Sequence, residues 1–140
     1  MWGNTSAYLT DRIFRIQKRA IRTIAGLRKA DSCRETFTDL QILTLPCLYI
    51  LEVILYARFS CPIITGADVH EHHTRGRSEL RSGQQRLNVA QALPHNAGAR
   101  FFNKLPGDMK NINDKNKFKI VLRAHLLNKA FYSIEEFLTD

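Results

Sequence analysis

The sequence is poor in acidic residues and lacks the carboxylate clusters that metal-dependent catalysis requires. Its 140 residues include 13 Asp and Glu against 21 Lys and Arg, for a formal net charge of +8. The aspartates are solitary in sequence, and no glycine-rich phosphate loop, serine nucleophile elbow or His-Glu-x-x-His motif occurs. Because two-metal catalysis needs carboxylates brought together, we predict no catalytic residues and no enzymatic activity. The isolated aspartates are expected to cap helices and form turns.

Cysteine is also scarce, and its spacing excludes the usual disulfide and metal scaffolds. The three residues, Cys33, Cys47 and Cys61, match no zinc or redox motif. We therefore predict reduced thiols, with Cys33 and Cys47 serving as small core residues. A zinc site normally draws on two pairs of closely spaced ligands, whereas the only histidine cluster here is accompanied by a single cysteine. We therefore predict no metal and no cofactor. The residues of that rejected site are Cys61, His70, His72 and His73.

Long hydrophobic runs are missing as well. The best run, residues 45–57, is interrupted by Pro46 and Glu52 and falls short of the roughly 20 apolar residues that span a bilayer. The N-terminus has no basic start followed by an apolar stretch, which a secretory signal would show. We expect no membrane association and an intracellular location, either cytoplasmic or nuclear.

What the sequence does contain predicts a mainly α fold. With 44% hydrophobic and 24% charged residues, the chain has the composition of a folded protein, and residues 1–140 are expected to form a single small helical domain. Helical periodicity or capping signals place helices at residues 10–27, 44–58, 98–105 and 114–129, with capping boxes at Ser32/Glu35 and Ser133/Glu136 opening two shorter ones. Residues 61–97 read as a long polar loop with at most one short strand or hairpin, near Leu87 and Val89.

The helix at 44–58 is apolar around nearly its whole circumference, so it is predicted to be the buried central element. The helix at 10–27 differs, because its apolar and charged residues segregate. One half carries Phe14 and Ile21 together with Ile13, Ile16, Ala20, Ile24 and Leu27, and we expect that half to be buried. The other half carries the cations Arg12, Arg15, Lys18, Arg19, Arg22 and Lys29.

Clustered cations on one face are the strongest functional feature of the sequence. Like charges three and four residues apart repel one another by a few tenths of a kcal/mol per pair, and a polyanion would relieve that repulsion. We therefore predict that this face binds a nucleic-acid backbone, with Arg75 and Arg77 of the long loop as a second, looser set. The alternative is a solvated face neutralised by acidic residues elsewhere in the fold or in a partner domain.

Several segments, in order along the chain, resemble the RNA-directed DNA polymerases of jockey-like non-LTR (LINE-type) retrotransposons, in the region after the polymerase palm. They are Trp2-Gly3, residues 13–22 (Ile-Phe-Arg-Ile-Gln-Lys-Arg-Ala-Ile-Arg), Leu40, residues 42–46 (Ile-Leu-Thr-Leu-Pro), Tyr49, residues 73–75 (His-Thr-Arg), residues 102–106 (Phe-Asn-Lys-Leu-Pro), Phe118-Lys119, Leu122 and residues 131–138 (Phe-Tyr-Ser-Ile-Glu-Glu-Phe-Leu). Each segment is moderately specific, and their order and spacing strengthen the match.

This resemblance implies a thumb and post-thumb segment, the helical part that cradles template and primer in such polymerases. The family's Phe/Tyr-Ala-Asp-Asp metal site does not occur in these 140 residues, so the chain resembles a fragment separated from fingers and palm. Two functions follow as expectations. The first is a non-catalytic fragment that binds RNA or DNA, with an RNA–DNA hybrid as the expected ligand. The second is a structural or protein-interaction remnant of a transposon polyprotein, whose partner would be the missing fingers and palm.

Overall fold

The computed structural model describes residues 7–60, Leu80 and residues 93–140, and helices account for 73% of them. The mainly α prediction is confirmed. In chain order the described helices are α1 (Ala7–Ile24), α2 (Arg34–Asp39), α3 (Leu45–Phe59), α4 (Pro94–Lys104), α5 (Gly107–Lys110), α6 (Lys115–Lys129) and α7 (Ile134–Thr139). The strand predicted near Leu87 and Val89 lies outside the described residues, as does most of the predicted loop.

The contacts divide the chain into two compact units, Met1–Tyr49 with Arg123–Asp140, and Ile50–Leu122. In the first unit a hydrophobic cluster is formed by α1, α2 and the start of α3, and its buried members are Phe14, Ile21, Cys33, Phe37 and Leu45. Tyr132 packs on this cluster, with its ring edge-to-face against Phe14 at 5.1 Å between centroids. Such aromatic pairs stabilise a core beyond the area they bury.

Helix α3 begins as its sequence predicts. Pro46 lies in the first turn, where its missing N–H costs nothing, and the Thr44 hydroxyl accepts a hydrogen bond from the Cys47 N–H at 3.3 Å. Thr44 is itself buried and donates to the Phe131 carbonyl at 2.6 Å. The predicted burial of this helix is confirmed, with an exposed strip at four-residue spacing: Leu48, Glu52 and Tyr56. The cysteine prediction also holds for Cys33 and Cys47, which are free and buried.

In the second unit α4 and α3 approach closely at Gly98. A Cβ added there would overlap the Ala57 side chain and the Val53 carbonyl, so this contact requires glycine. Nearby, the Arg58 guanidinium lies 4.4 Å from the Phe118 ring centroid and 4.9 Å from that of Phe102. The same guanidinium donates to the Ile112 carbonyl at 2.6 Å. Burial lowers the pKa of Arg58. The rings and carbonyls replace part of its lost hydration, while Nη1 is buried without a hydrogen-bond partner among the described residues.

The last two helices have the N-terminal signals that the sequence predicts. The Asp114 carboxylate accepts a hydrogen bond from the Lys117 N–H at 2.6 Å at the start of α6. The Ser133 hydroxyl accepts one from the Glu136 N–H at 3.1 Å, which confirms Ser133 as the N-cap of α7. The Glu136 carboxylate accepts from the Tyr132 N–H at 2.7 Å, one residue before the donor that a full capping box uses. Phe118, Leu122 and Leu126 of α6 are fully buried, and His125 beside them is partly buried, which lowers its pKa and favours the neutral ring.

Four features predicted for the helix ends are wrong. Helix α1 begins at Ala7 rather than residue 10 and ends at Ile24 rather than residue 27. The N-cap of α2 is Cys33, with no side-chain cap, so the Ser32/Glu35 capping box does not form. Helix α4 begins at Pro94, so the end of the predicted loop 61–97 is helical. Proline fits the first position of a helix because its φ is already helical.

Candidate nucleic-acid interface

Helix α1 carries the candidate site, and its burial differs from the prediction. Phe14 and Ile21 enter the core as expected, at 5% and 3% exposure. Leu27 is partly buried and packs against the same core. The other members of the predicted buried half do not, because Ile13, Ile16 and Ile24 are 49%, 66% and 65% exposed and Ala20 is exposed too. Phe14 and Ile21 lie at one edge of the apolar half, and α2 and α3 pack against that edge alone. The helix therefore presents an uncovered apolar strip as well as its cations.

The cations of α1 line a groove of about 630 Å³. Among the residues that the structure describes, its lining combines five basic side chains with Thr23 and Leu27 and includes no acidic side chain. The basic residues are Arg15, Lys18, Arg19, Arg22 and Lys29. Arg15 and Arg19 are exposed, whereas Lys18 and Arg22 are partly buried. A concave surface lined with one sign of charge concentrates counter-ions, so this groove attracts anions.

A turn at the end of α1 brings Lys29 to the groove. Gly26 has a φ of 66°, a left-handed conformation that favours glycine. The Leu27 N–H donates to the Arg22 carbonyl at 2.9 Å and the Gly26 N–H donates to the Thr23 carbonyl at 3.3 Å. These two bonds form the Schellman motif that closes a helix C-terminus. The chain reverses direction here, which places Leu27 and Lys29 beside the last turns of the helix.

The groove cations have few acidic partners. Arg15 pairs with Asp11 at 2.5 Å one turn earlier, but both side chains are largely exposed, so the pair is weak. For Lys18, Arg19, Arg22 and Lys29 no ion pair is found in the part of the chain that the structure describes. Their charges therefore remain available to an anion in solution.

Two of these cations are positioned by neutral groups. The Lys18 ammonium lies 4.5 Å from the Phe14 ring centroid and 5.3 Å from that of Tyr132, and the Arg22 Nε donates to the Asp31 carbonyl at 3.0 Å. Cation–π contacts and a carbonyl orient a cation without neutralising it. These contacts preorganise the groove while preserving its charge.

Beneath the groove, Tyr132 belongs to a polar cluster that joins distant parts of the first unit. The Arg34 guanidinium lies 4.3 Å from the Tyr132 ring centroid and donates to the Glu136 carboxylate at 2.5 Å. The Arg34 hydrogen bond lowers the pKa of Glu136. Burial, with the contact to the Cys33 thiol, raises the pKa of the Tyr132 phenol above its usual range. Tyr132 is therefore neutral and provides an aromatic face to both Arg34 and Lys18.

The structure brings together five of the six cations predicted on this face. Arg12 does not line the groove, and its guanidinium lies over the Tyr8 ring at 5.7 Å from the centroid. Arg75 and Arg77 lie outside the described residues, as do Cys61, His70, His72 and His73. The sequence patterns did not indicate Thr23 or Tyr8, and they placed Leu27 in the apolar half of the helix rather than at the groove. Leu27 directly follows Gly26, the glycine that ends the helix. A hydrophobic residue at that position commonly packs against the last turn of the helix, so its sequence position could have indicated this contact.

No group of three or more His, Cys, Asp or Glu side chains suited to a metal occurs within residues 7–60, 80 and 93–140. Over the same residues no helix is long and apolar enough to cross a membrane. Comparison of the chain with protein-family models, with curated proteins and with solved structures finds no match. The site is therefore interpreted from its own chemistry.

Proposed function

We propose that the protein is a non-catalytic nucleic-acid-binding module that holds a phosphodiester backbone in the α1 groove. The observation that supports this most directly is the lining of the groove, whose described residues include five basic side chains and no acidic one. Lys and Arg side chains displace the counter-ions condensed on a nucleic acid, which supplies most of the affinity for a backbone regardless of sequence. The ligand class we propose is RNA or DNA, with an RNA–DNA hybrid preferred.

The resemblance to the thumb and post-thumb region of a retrotransposon polymerase agrees with this ligand class, since that region cradles template and primer. In that interpretation the fingers and palm of the polymerase would be a partner of this chain. The reaction itself would belong to that partner, and the compartment would be the cytoplasm or the nucleus.

The salt dependence of binding tests the proposal. If four groove cations contact phosphates, a plot of log affinity against log salt concentration should have a slope of about −3 to −4, the range from single strands to duplex. Charge reversal by Arg15→Glu together with Arg19→Glu should flatten the slope by about 1.4 to 1.8, because two contacts are lost. Titration of a short fluorescent RNA–DNA hybrid across a salt series measures both slopes.

Helix α6 provides a matched control. Lys115 and Lys119 have the same four-residue spacing as Arg15 and Arg19, are exposed, and do not line the groove. Reversing both to Glu changes the net charge equally, so an effect of overall charge alone would flatten the slope as much as the groove variant does. That result would contradict the proposal, as would binding that does not depend on salt. Circular dichroism should give the same helical content for both variants, since all four side chains are exposed.

A second candidate function is supported by the apolar strip of α1. Its members are exposed on a helix whose neighbouring face is already packed: Leu9, Ile13, Ile16, Ala20 and Ile24. A contiguous exposed apolar surface often marks a protein-interaction site. The partner we propose for it is the fingers and palm of a polymerase of the kind that the sequence resembles. Absence of salt-dependent nucleic-acid binding would favour this structural or interaction role over the first.

A further inference from the structure

An aromatic side chain lies in line with the groove cations. Tyr8 in the first turns of α1 is 65% exposed, more than any other aromatic side chain among the described residues. Residues 8, 12, 15 and 19 follow one another at three- and four-residue spacing, so Tyr8, Arg12, Arg15 and Arg19 form one stripe along the helix. The stripe therefore begins with an aromatic ring and continues with cations into the groove.

The ring of Tyr8 is held by its neighbour in the stripe. The Arg12 guanidinium lies 5.7 Å from the Tyr8 ring centroid, a cation–π contact that restricts the orientation of the ring. The aromatic side chains of the core, such as Phe14 and Phe37, are almost completely buried, so Tyr8 has a different role from theirs. Its exposed ring face is available to another flat aromatic group.

We propose that Tyr8 stacks on an unpaired base of a strand whose phosphates lie against Arg15, Arg19 and the rest of the groove. The proposal rests on the proposed function and specifies its ligand, which is a nucleic acid with a single-stranded segment beside the part held by the groove. At a rise of 1.5 Å per residue, Tyr8 lies about 10 Å from Arg15 along the helix axis. A strand with a spacing of about 3.4 Å per nucleotide covers that distance in about three nucleotides.

Comparison of two ligands and three variants tests the proposal. The ligands are a blunt RNA–DNA hybrid and the same hybrid with a short single-stranded overhang that contains a fluorescent purine analogue. Stacking of one base on an aromatic side chain contributes about 1–3 kcal/mol, so the overhang ligand should bind about 5-fold to 160-fold more tightly than the blunt one. Tyr8→Ala should abolish this advantage, whereas Tyr8→Phe should retain it because the ring and not the hydroxyl makes the contact. Quenching of the purine analogue should follow the same order.

The control variant is Tyr56→Ala, which removes the exposed tyrosine of α3 and should leave the overhang advantage unchanged. Tyr8→Ala should also leave the salt slope for the blunt hybrid unchanged, because no cation is lost. The stacking role would be overturned if the wild-type protein bound both ligands equally well, or if the overhang advantage survived Tyr8→Ala. In either case, salt-dependent binding would still support nucleic-acid binding by the groove. Loss of the advantage in Tyr8→Phe would overturn it too. Absence of salt-dependent binding to either ligand would overturn both proposals.

Discussion

Individual side chains of α3 show how burial determines stability. Leu51 is 3% exposed, whereas Leu48, three residues earlier on the same helix, is 39% exposed. The two residues have the same side chain and the same helix propensity, so a comparison between them isolates the effect of packing.

We expect Leu51→Ala to lower the free energy of unfolding by about 2–5 kcal/mol, because it removes buried methyl groups and leaves a cavity. Leu48→Ala should cost about 1 kcal/mol or less, since much of that side chain already contacts water. Urea denaturation followed by circular dichroism measures both. Equally small effects would show that α3 is not a core helix.

At the scale of elements, the ends of helices depend on single residues more than their middles do. Helix α1 ends in the turn at Gly26, which has a positive φ and whose geometry places Lys29 at the groove. Gly107, at the start of α5, provides the opposite case. It has ordinary backbone geometry, and a Cβ added there would contact nothing within 4 Å.

Gly26→Ala should lower the free energy of unfolding by about 1 kcal/mol, because an L side chain is strained in the left-handed region. Gly107→Ala should be neutral or stabilising by up to about 1 kcal/mol, since it only restricts the unfolded chain. Thermal unfolding of the two variants makes the comparison. If Gly107→Ala were the more destabilising of the two variants, the turn after α1 would not need a positive φ.

At the scale of the whole molecule, one ion pair joins residues far apart in sequence. Arg34 in α2 and Glu136 in α7 are 102 positions apart, and Glu136 also accepts a hydrogen bond from the Tyr132 N–H at 2.7 Å. The Arg34 hydrogen bond lowers the pKa of Glu136. The stability from this lowered pKa is therefore fully present above the ordinary glutamate pKa and is lost as the pH falls through the lowered value.

Replacing the carboxylate tests this contribution. Glu136→Gln should cost about 0.5–1 kcal/mol near neutral pH, a modest amount because both side chains are more than a third exposed. The difference from wild type should shrink as the pH falls below about 4.5, where the carboxylate of the unfolded chain begins to take up a proton, and should vanish below the lowered pKa of the folded protein, where both states are protonated. Glu135→Gln, on the exposed side of the same helix, serves as the control. If the difference in unfolding free energy between wild type and Glu136→Gln stayed constant down to acidic pH, the lowered pKa of Glu136 would be contradicted.

The agreement between sequence and structure is greatest where a local signal suffices. Pro46 with Thr44 predicts the start of α3, and Ser133 with Glu136 predicts that of α7, because capping satisfies backbone groups within a few residues. The same reasoning fails at Ser32, where Cys33 is the N-cap, because tertiary packing of Cys33 and Phe37 determines the start of α2. Gln17 shows a contact that no local signal predicts. Its side chain accepts from the Leu45 N–H and donates to the Leu43 carbonyl, more than 25 positions away.

The sequence by itself determined that the protein is mainly helical, that α3 is buried, and that α1 segregates apolar from cationic residues. These properties follow from periodicity and composition, which depend only on residues close in the chain. Only the tertiary structure decided which edge of α1 is covered, that Ile16 and Ile24 stay exposed, and that five cations share one groove. The physical reason is that periodicity specifies which residues share a face, whereas burial depends on the elements that pack against it. Leu27 and Lys29 reach the groove through the turn at Gly26.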